Sequence, residues 1–159
     1  MKRNTFSILL AVPLLGLSIE VCSQETADTA VHDAEVAVAT AEELMARGQV
    51  VYSANCAACH QPNGQGLAGA FPPLAGSDYL QGNREDVIAA ALFGLSGPVM
   101  VNDVEYNGVM PSLGHLPDED LAAAITYVFG SWGNNLAAVG VDEVAAIRAA
   151  VGAEDRAAG

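Results

Sequence analysis

The sequence predicts an all-α domain of three main helices joined by irregular loops, and three observations carry that prediction. Apolar residues recur at helical spacing in three separate stretches. The segments between those stretches are crowded with glycine and proline, which break regular elements. No run shows the alternation expected of strands, and no internal repeat is visible. At 159 residues the chain holds one small domain with flanking segments and has little room for a second.

The first helix begins at Ala41, with Leu44, Met45, Gly48 and Tyr52 following on one face and Glu42 and Glu43 near the N-terminal end, where the dipole favours acids. It runs into a cysteine pair. Residues 63–76 carry glycines and two prolines and are expected to wrap as a loop. A second helix is expected after Asn83 as N-cap, with Val87, Ile88, Ala91, Leu92 and Leu95 on one side. Residues 97–114 read as another loop. The third helix has Pro117 at its start, Asp118, Glu119 and Asp120 in its first turn, and Leu121, Ala124, Ile125, Val128 and Trp132 along one stripe, ending at Gly133. A last short helix, residues 142–151 closed by Gly152, is expected to pack on the outside. The organisation is thus a domain over 41–134 and a helical extension over 135–159.

Lys2 and Arg3 precede an apolar run over residues 6–17, which has the form of a secretion signal and is too short to span a bilayer. Small Val21 and Ser23 put cleavage near residue 23. Cys22 raises the alternative of a lipid anchor, but Ile19-Glu20-Val21 lacks the small pair usual before such a cysteine. Residues 24–40, rich in Ala, Val, Thr and acids, read as an arm or linker. A periplasmic location follows for the exported product. Nineteen acidic against six basic residues give a net charge of −13. Such acidity argues against nucleic acid and anionic membranes, and favours partners with a basic patch or simply serves solubility.

Cys56-Ala57-Ala58-Cys59-His60 matches Cys-x-x-Cys-His, in which two thiols add to haem vinyl groups and the adjacent imidazole reaches iron. The spacing is mechanical: two intervening residues continue a helical turn. A disulfide, a zinc site or a thioredoxin-like pair are the alternatives. Zinc would need His32 or His115 in the absence of a second cysteine pair, and the redox pair lacks its strand-helix-strand surroundings. For the other axial position Met110 is the candidate, in a glycine-bearing loop just before the third helix; its thioether would favour reduced iron. His115 competes. Met45 suits core filling and Met100 a buried turn. His60 needs an acceptor for its other ring nitrogen, and the rigid Pro72-Pro73 pair offers the Pro72 carbonyl.

Over residues 41–132 these features resemble the class I c-type cytochromes. The resemblance rests on Cys56 to His60, Met110-Pro111, Gly48 and Tyr52 on the first helix, and Pro72-Pro73-Leu74-Ala75-Gly76, which is similar to the family's Pro-x-Leu-x-Gly loop. The run from Tyr106 through Ser131-Trp132-Gly133-Asn134 is similar to monohaem cytochromes and cytochrome domains that accompany copper nitrite reductases and periplasmic or membrane-bound dehydrogenases. One departure is Pro117, where many relatives carry a Ser or Thr cap; Asp118 is the substitute expected. The resemblance implies three helices around one covalent haem c, with Cys56 and Cys59 as attachment points, His60 and Met110 as iron ligands, and the Pro72 carbonyl on His60. It also implies that Gly48 and Tyr52 pack near Ala124 and Tyr127. Leu67, Phe71, Leu74, Tyr79, Leu92 and Phe93 are candidate haem walls, and Trp132 either reaches a propionate or simply packs.

The implied function is one-electron transfer by a diffusing or loosely tethered carrier rather than an enzyme. A fixed cytochrome subunit of an oxidoreductase is the second reading. A haem enzyme or gas sensor with an open iron site is the third, and it requires that Met110 not be a ligand.

Overall fold

The computed structural model describes residues 40–157 apart from Asn83, with side chains as far as residue 150. The signal segment, the arm up to residue 39, Cys22, His32 and the Asn83 cap lie outside the described residues. Helix α1, Ala41–Asn55, opens on a reciprocal cap: the Glu43 amide donates to Thr40 Oγ1 at 3.2 Å, and the Glu43 carboxylate accepts from the Thr40 amide at 2.9 Å. The short helix α2, Ala57–His60, follows at once and carries the cysteine motif.

After the loop come α3, Asp78–Gly82, and α4, Arg84–Phe93. The sequence gives no sign of α3, whose single turn has no periodicity to read. Leu95, expected on the face of the second helix, instead begins a strand, because Gly94 turns the chain with φ +82°.

The loop expected over residues 97–114 is largely an antiparallel hairpin. Strands β1, Leu95–Val101, and β2, Val104–Met110, pair in full register from Leu95 opposite Met110 to Val101 opposite Val104. Asn102 and Asp103 form its two-residue turn with φ of 52° and 61°, both in the left-handed region that such a turn requires. The tip is fastened to α3: the Asn102 amide donates to Asp78 Oδ1 at 2.7 Å, and the Asp78 amide donates back to Asn102 Oδ1 at 3.0 Å.

Helix α5, Asp118–Gly130, is the centre of the domain. Its sequence is apolar on almost every face, and Leu121, Ala122, Ala123, Ala124, Ile125, Thr126, Val128 and Phe129 are all buried. It stops at Gly130 rather than Gly133, since Ser131 adopts extended backbone, and Trp132 therefore stands beyond the helix. Asp118 is its first residue and does not cap it; the carboxylate accepts from Arg148 instead.

Helix α6, Val141–Ala157, runs through Gly152 and is longer than expected. The extension does not merely lie on the outside. Val139 and Val144 belong to the same buried cluster as Tyr52, Ile88, Leu92, Leu121 and Phe129. Arg84 binds it to α4, donating to Glu143 and to the carbonyls of Ala137 and Ala138 while its guanidinium lies over the Phe129 ring. No helix among the described residues is long and apolar enough to cross a membrane.

Helices α1 and α5 cross with almost no side chain between them. A Cβ at Gly48 would overlap the Ala123 carbonyl and lie 2.7 Å from Tyr127 Cβ, so only glycine permits the approach. Gly48→Ala is expected to destabilise the protein by about 2 kcal/mol in denaturant unfolding despite alanine's better helix propensity. Gly82→Ala, where a Cβ meets nothing within 4 Å, is the control and should change little.

The Arg84 hydrogen bond, then that from the Gly140 amide, holds the Glu143 carboxyl down at about 2 against an ordinary 4.5. Because the folded value is the lower one, the stabilisation is complete above about pH 4.5 and fades as pH falls toward 2. The pair is solvent-screened, so its contribution is on the order of 1 kcal/mol or less. Thermal melts of Glu143→Gln should fall below wild type at pH 7 and converge with it near pH 2.

Candidate functional site

Cys56 is at once the C-cap of α1 and the N-cap of α2, so the helix restarts after a one-residue break and the cysteine motif forms a turn of its own. The His60 and Gln61 amides donate to the carbonyls of Cys56 and Ala57 at 2.9 and 3.0 Å, closing that turn. Tyr52, 1% exposed, donates its hydroxyl to the Gln61 carbonyl at 2.6 Å and ties the end of the motif back to α1. The motif is therefore held at both ends.

The loop after it is drawn in by backbone bonds. The Gly64 carbonyl accepts from Leu74 and Ala75 at 2.7 and 2.9 Å, and the Gly66 amide donates to the His60 carbonyl at 2.9 Å. Gly64, at φ +70°, lies under the indole of Trp132, where a Cβ would be 2.5 Å from the ring. Trp132 in turn packs with Tyr52 and Tyr127, ring centroids 5.3 to 5.6 Å apart. Trp132 lines neither of the cavities described below; the structure shows it packed among aromatic rings.

His60 is buried, and its Nδ1 lies 3.0 Å from the Pro72 carbonyl oxygen. A proton on Nδ1 donates there and leaves Nε2 with its lone pair free. Burial lowers the imidazole's affinity for a proton and the Pro72 carbonyl partly restores it, with a net shift downward, so the ring is neutral, the form in which histidine binds metal. Burial first, then the nearby Cys59, pushes the Cys56 thiol up to about 11. A reactive redox pair needs the opposite shift. Among the described residues no three His, Cys, Asp or Glu side chains converge as a metal site of their own, which leaves the zinc alternative without a ligand set there.

The motif opens onto a cleft whose space, counted to its open mouth, is about 820 Å³. Cys56 and His60 stand on its wall beside Leu74, Val99, Met110 and Ile125. A second, adjoining cavity is walled by Cys59, Phe71, Tyr106 and Gly108, and shares His60, Pro72, Leu95, Val99 and Met110 with the first. The stripe Leu121, Ala124, Ile125 and Val128 read from the sequence is the α5 face that lines this cleft.

Of the expected wall residues, Phe71, Leu74 and Tyr79 line the cavities. Leu92 is wholly buried in the core instead, and Leu67 and Phe93 are exposed. The larger omission was the hairpin. Its inward side chains, Leu95, Val99 and Val101 on β1 and Tyr106 and Met110 on β2, cover the cleft, a role invisible while the segment reads as a loop. The signal that finds it is Asn102-Asp103 between valines.

Met110 ends β2 half-buried and lines both cavities. Met45 instead packs by Gly130, Met100 is 54% exposed, and His115 is exposed and lines neither cavity. Asn134 is a further residue that site reasoning passed over. Its Nδ2 donates to the carbonyls of Leu74 and Val128 at 3.0 and 2.8 Å and its Oδ1 accepts from Gly76, so it fixes the cleft's proline-rich wall to the end of α5.

A deep apolar slot with one imidazole, one thioether and two thiols on its walls fits a flat, largely apolar metallo-macrocycle attached through sulfur. The cytochrome c family model matches residues 45–132. The chain is 47% identical over 93 residues to cytochrome c-552 of Thermus thermophilus, covering 56% of this chain and 70% of that protein. It is 34% identical over 110 residues to the fructose dehydrogenase cytochrome subunit of Gluconobacter japonicus, covering 64% of this chain and 22% of the subunit. The cytochrome c subunit of the quinone alcohol dehydrogenase of Gluconobacter oxydans is also 34% identical, over 91 residues that make up 55% of this chain and 19% of the subunit. The cleft, the helical motif that opens onto it and these likenesses agree: the chain belongs to the cytochrome c family, the electron-transfer proteins that carry covalent haem c.

Proposed function

We propose that this protein is an exported single-haem electron carrier in which Cys56 and Cys59 hold haem c through thioether bonds and His60 and Met110 are the axial ligands. The observation that carries the reading is the sharing of one cleft by the Cys-x-x-Cys-His helix and the hairpin-borne Met110. Haem, when bound, supplies a one-electron couple at iron. The chain's own part is to exclude water and to present two neutral ligands on fixed elements. His60 is oriented through Nδ1 by the Pro72 carbonyl, and Asn134 holds the wall that carries that carbonyl. Were His60 and Met110 both to hold the iron, no open position would remain for a substrate, and the group would supply electron transfer rather than catalysis.

The N-terminal basic pair and apolar run support export to the periplasm. Arg47, Arg84 and Arg148 each neutralise one carboxylate, that of Asp120, Glu143 and Asp118, and the excess of acids still leaves the chain at −13. A redox partner with a basic patch fits that charge, and association should slow as salt is raised. A fixed place in an oxidoreductase complex is the second reading, favoured by the similarity to dehydrogenase cytochrome subunits. Gel filtration of material from its own host separates the two readings.

Visible spectra of the exported protein test the ligand set. Retention of haem in acidic organic solvent and a weak far-red band in the oxidised form are expected. Met110→Ala should lose that band and let carbon monoxide bind the reduced protein, while His115→Ala keeps the band. Absence of the band from the wild type, with carbon monoxide binding gained in His115→Ala and not in Met110→Ala, would assign the ligand to His115, and a colourless product from a maturation-competent host would sink covalent attachment.

A further inference from the structure

Met110 ends β2, and the segment that runs from it to the start of α5 has no regular structure of its own. Two elements hold it. From α4, the Leu92 carbonyl accepts from Ser112 Oγ at 2.5 Å and the Ala91 carbonyl from the Leu113 amide at 3.0 Å. Gly94 lets the loop lie this close: a Cβ there would be 2.6 Å from the Met110 carbonyl oxygen and 2.9 Å from the Ser112 nitrogen.

From α6 comes one side chain. Arg148 Nη1 donates to the Gly114 carbonyl at 2.5 Å, Nη2 to the Leu116 carbonyl at 2.9 Å, and Nε to Asp118 Oδ1 at 2.7 Å. One planar guanidinium thus fixes two loop carbonyls and the first residue of α5 together, which a flexible ammonium cannot do in that geometry. The loop is clamped between α4 and this fork, and a methionine side chain is a weak, displaceable ligand whose occupancy depends on how firmly its backbone is held.

We infer that Arg148 is a positioning residue for the axial methionine, holding from the C-terminal extension the segment that follows Met110 and so anchoring the end of β2 beside the iron site; this rests on the reading of Met110 as a ligand. The role differs from that of Arg84, which joins α4 to the same extension through Glu143 and the carbonyls of Ala137 and Ala138 without touching the loop.

Imidazole binding to the oxidised haem protein tests this, because imidazole must displace the methionine. Loss of three charge-assisted hydrogen bonds in Arg148→Gln should tighten imidazole binding by about tenfold and weaken the far-red band. Arg84→Gln should lower stability in denaturant and leave imidazole affinity within about threefold of wild type. If the glutamine variant yields no haem protein, Arg148→Lys keeps a charge for Asp118, gives up the fork, and should show the same tightening. An unchanged imidazole affinity in the Arg148 variants, or an equal change in Arg84→Gln, overturns the positioning role. Absence of the far-red band in wild type fails at the earlier step and removes Met110 ligation together with the inference.

Discussion

The backbone contact of α1 with α5 at Gly48 is the constraint from which the rest of the domain is set. With no Cβ to separate them, the helices approach until Gly48 sits on the Ala123 carbonyl and Tyr127 Cβ. One turn further along α1, Tyr52 then meets Tyr127 at 5.5 Å between ring centroids. Trp132 closes the triangle and presses on Gly64, and the Tyr52 hydroxyl reaches Gln61. Both chain segments flanking Cys56, Cys59 and His60 are therefore positioned by a crossing that contains none of them. Packing at the crossing is converted into the geometry of the Cys-x-x-Cys-His turn, because aromatic faces and a glycine backbone leave little room for alternative arrangements.

On the other wall the corresponding device is strand register. Side chains on a strand alternate, so the pairing of Leu95 with Met110 sends Leu95, Val99, Val101, Tyr106 and Met110 to the cleft and leaves Ser96, Met100, Glu105 and Val109 exposed. A slip of one residue would put Met110 on the wrong face. The Asn102-Asp103 turn and its paired bonds to Asp78 fix that register at the far end of the hairpin, and Gly94 fixes it at the near end. The placing of Met110 on the cleft wall is thus a property of the whole hairpin.

How much of this was readable in the sequence follows the range of the interactions. Cys56 to His60 was legible because its chemistry is written in five consecutive residues, and α1, α4 and α5 were legible through their periodic apolar faces. The face of α5 that lines the cleft was read correctly; its remaining buried residues, such as Ala122, Ala123 and Phe129, were hidden because alanine and a single aromatic give no stripe. The hairpin was missed because Gly97 and Pro98 interrupt β1 in the manner of a loop. A two-stranded sheet has only edges, where proline does no harm. Nothing local marks Arg47, Arg84 or Arg148 as structural, since their partners lie 73, 59 and 30 residues away.

Those distant partners change what the C-terminal extension is. In the sequence residues 135–159 read as a helical extension to a domain that already has its motif and its methionine. In the folded chain Val139 and Val144 complete the buried cluster, Arg84 fastens α4 to the segment before α6, and Arg148 reaches from α6 to the loop that follows Met110. The loop has no helix or sheet to satisfy its Gly114 and Leu116 carbonyls, so the fork meets a need that backbone pairing leaves open. A polar requirement created by an irregular segment is met by a residue more than thirty positions later. The extension is accordingly part of the mechanical frame of the haem cleft, and its contribution lies in the polar bonds it supplies as much as in the apolar surface it covers.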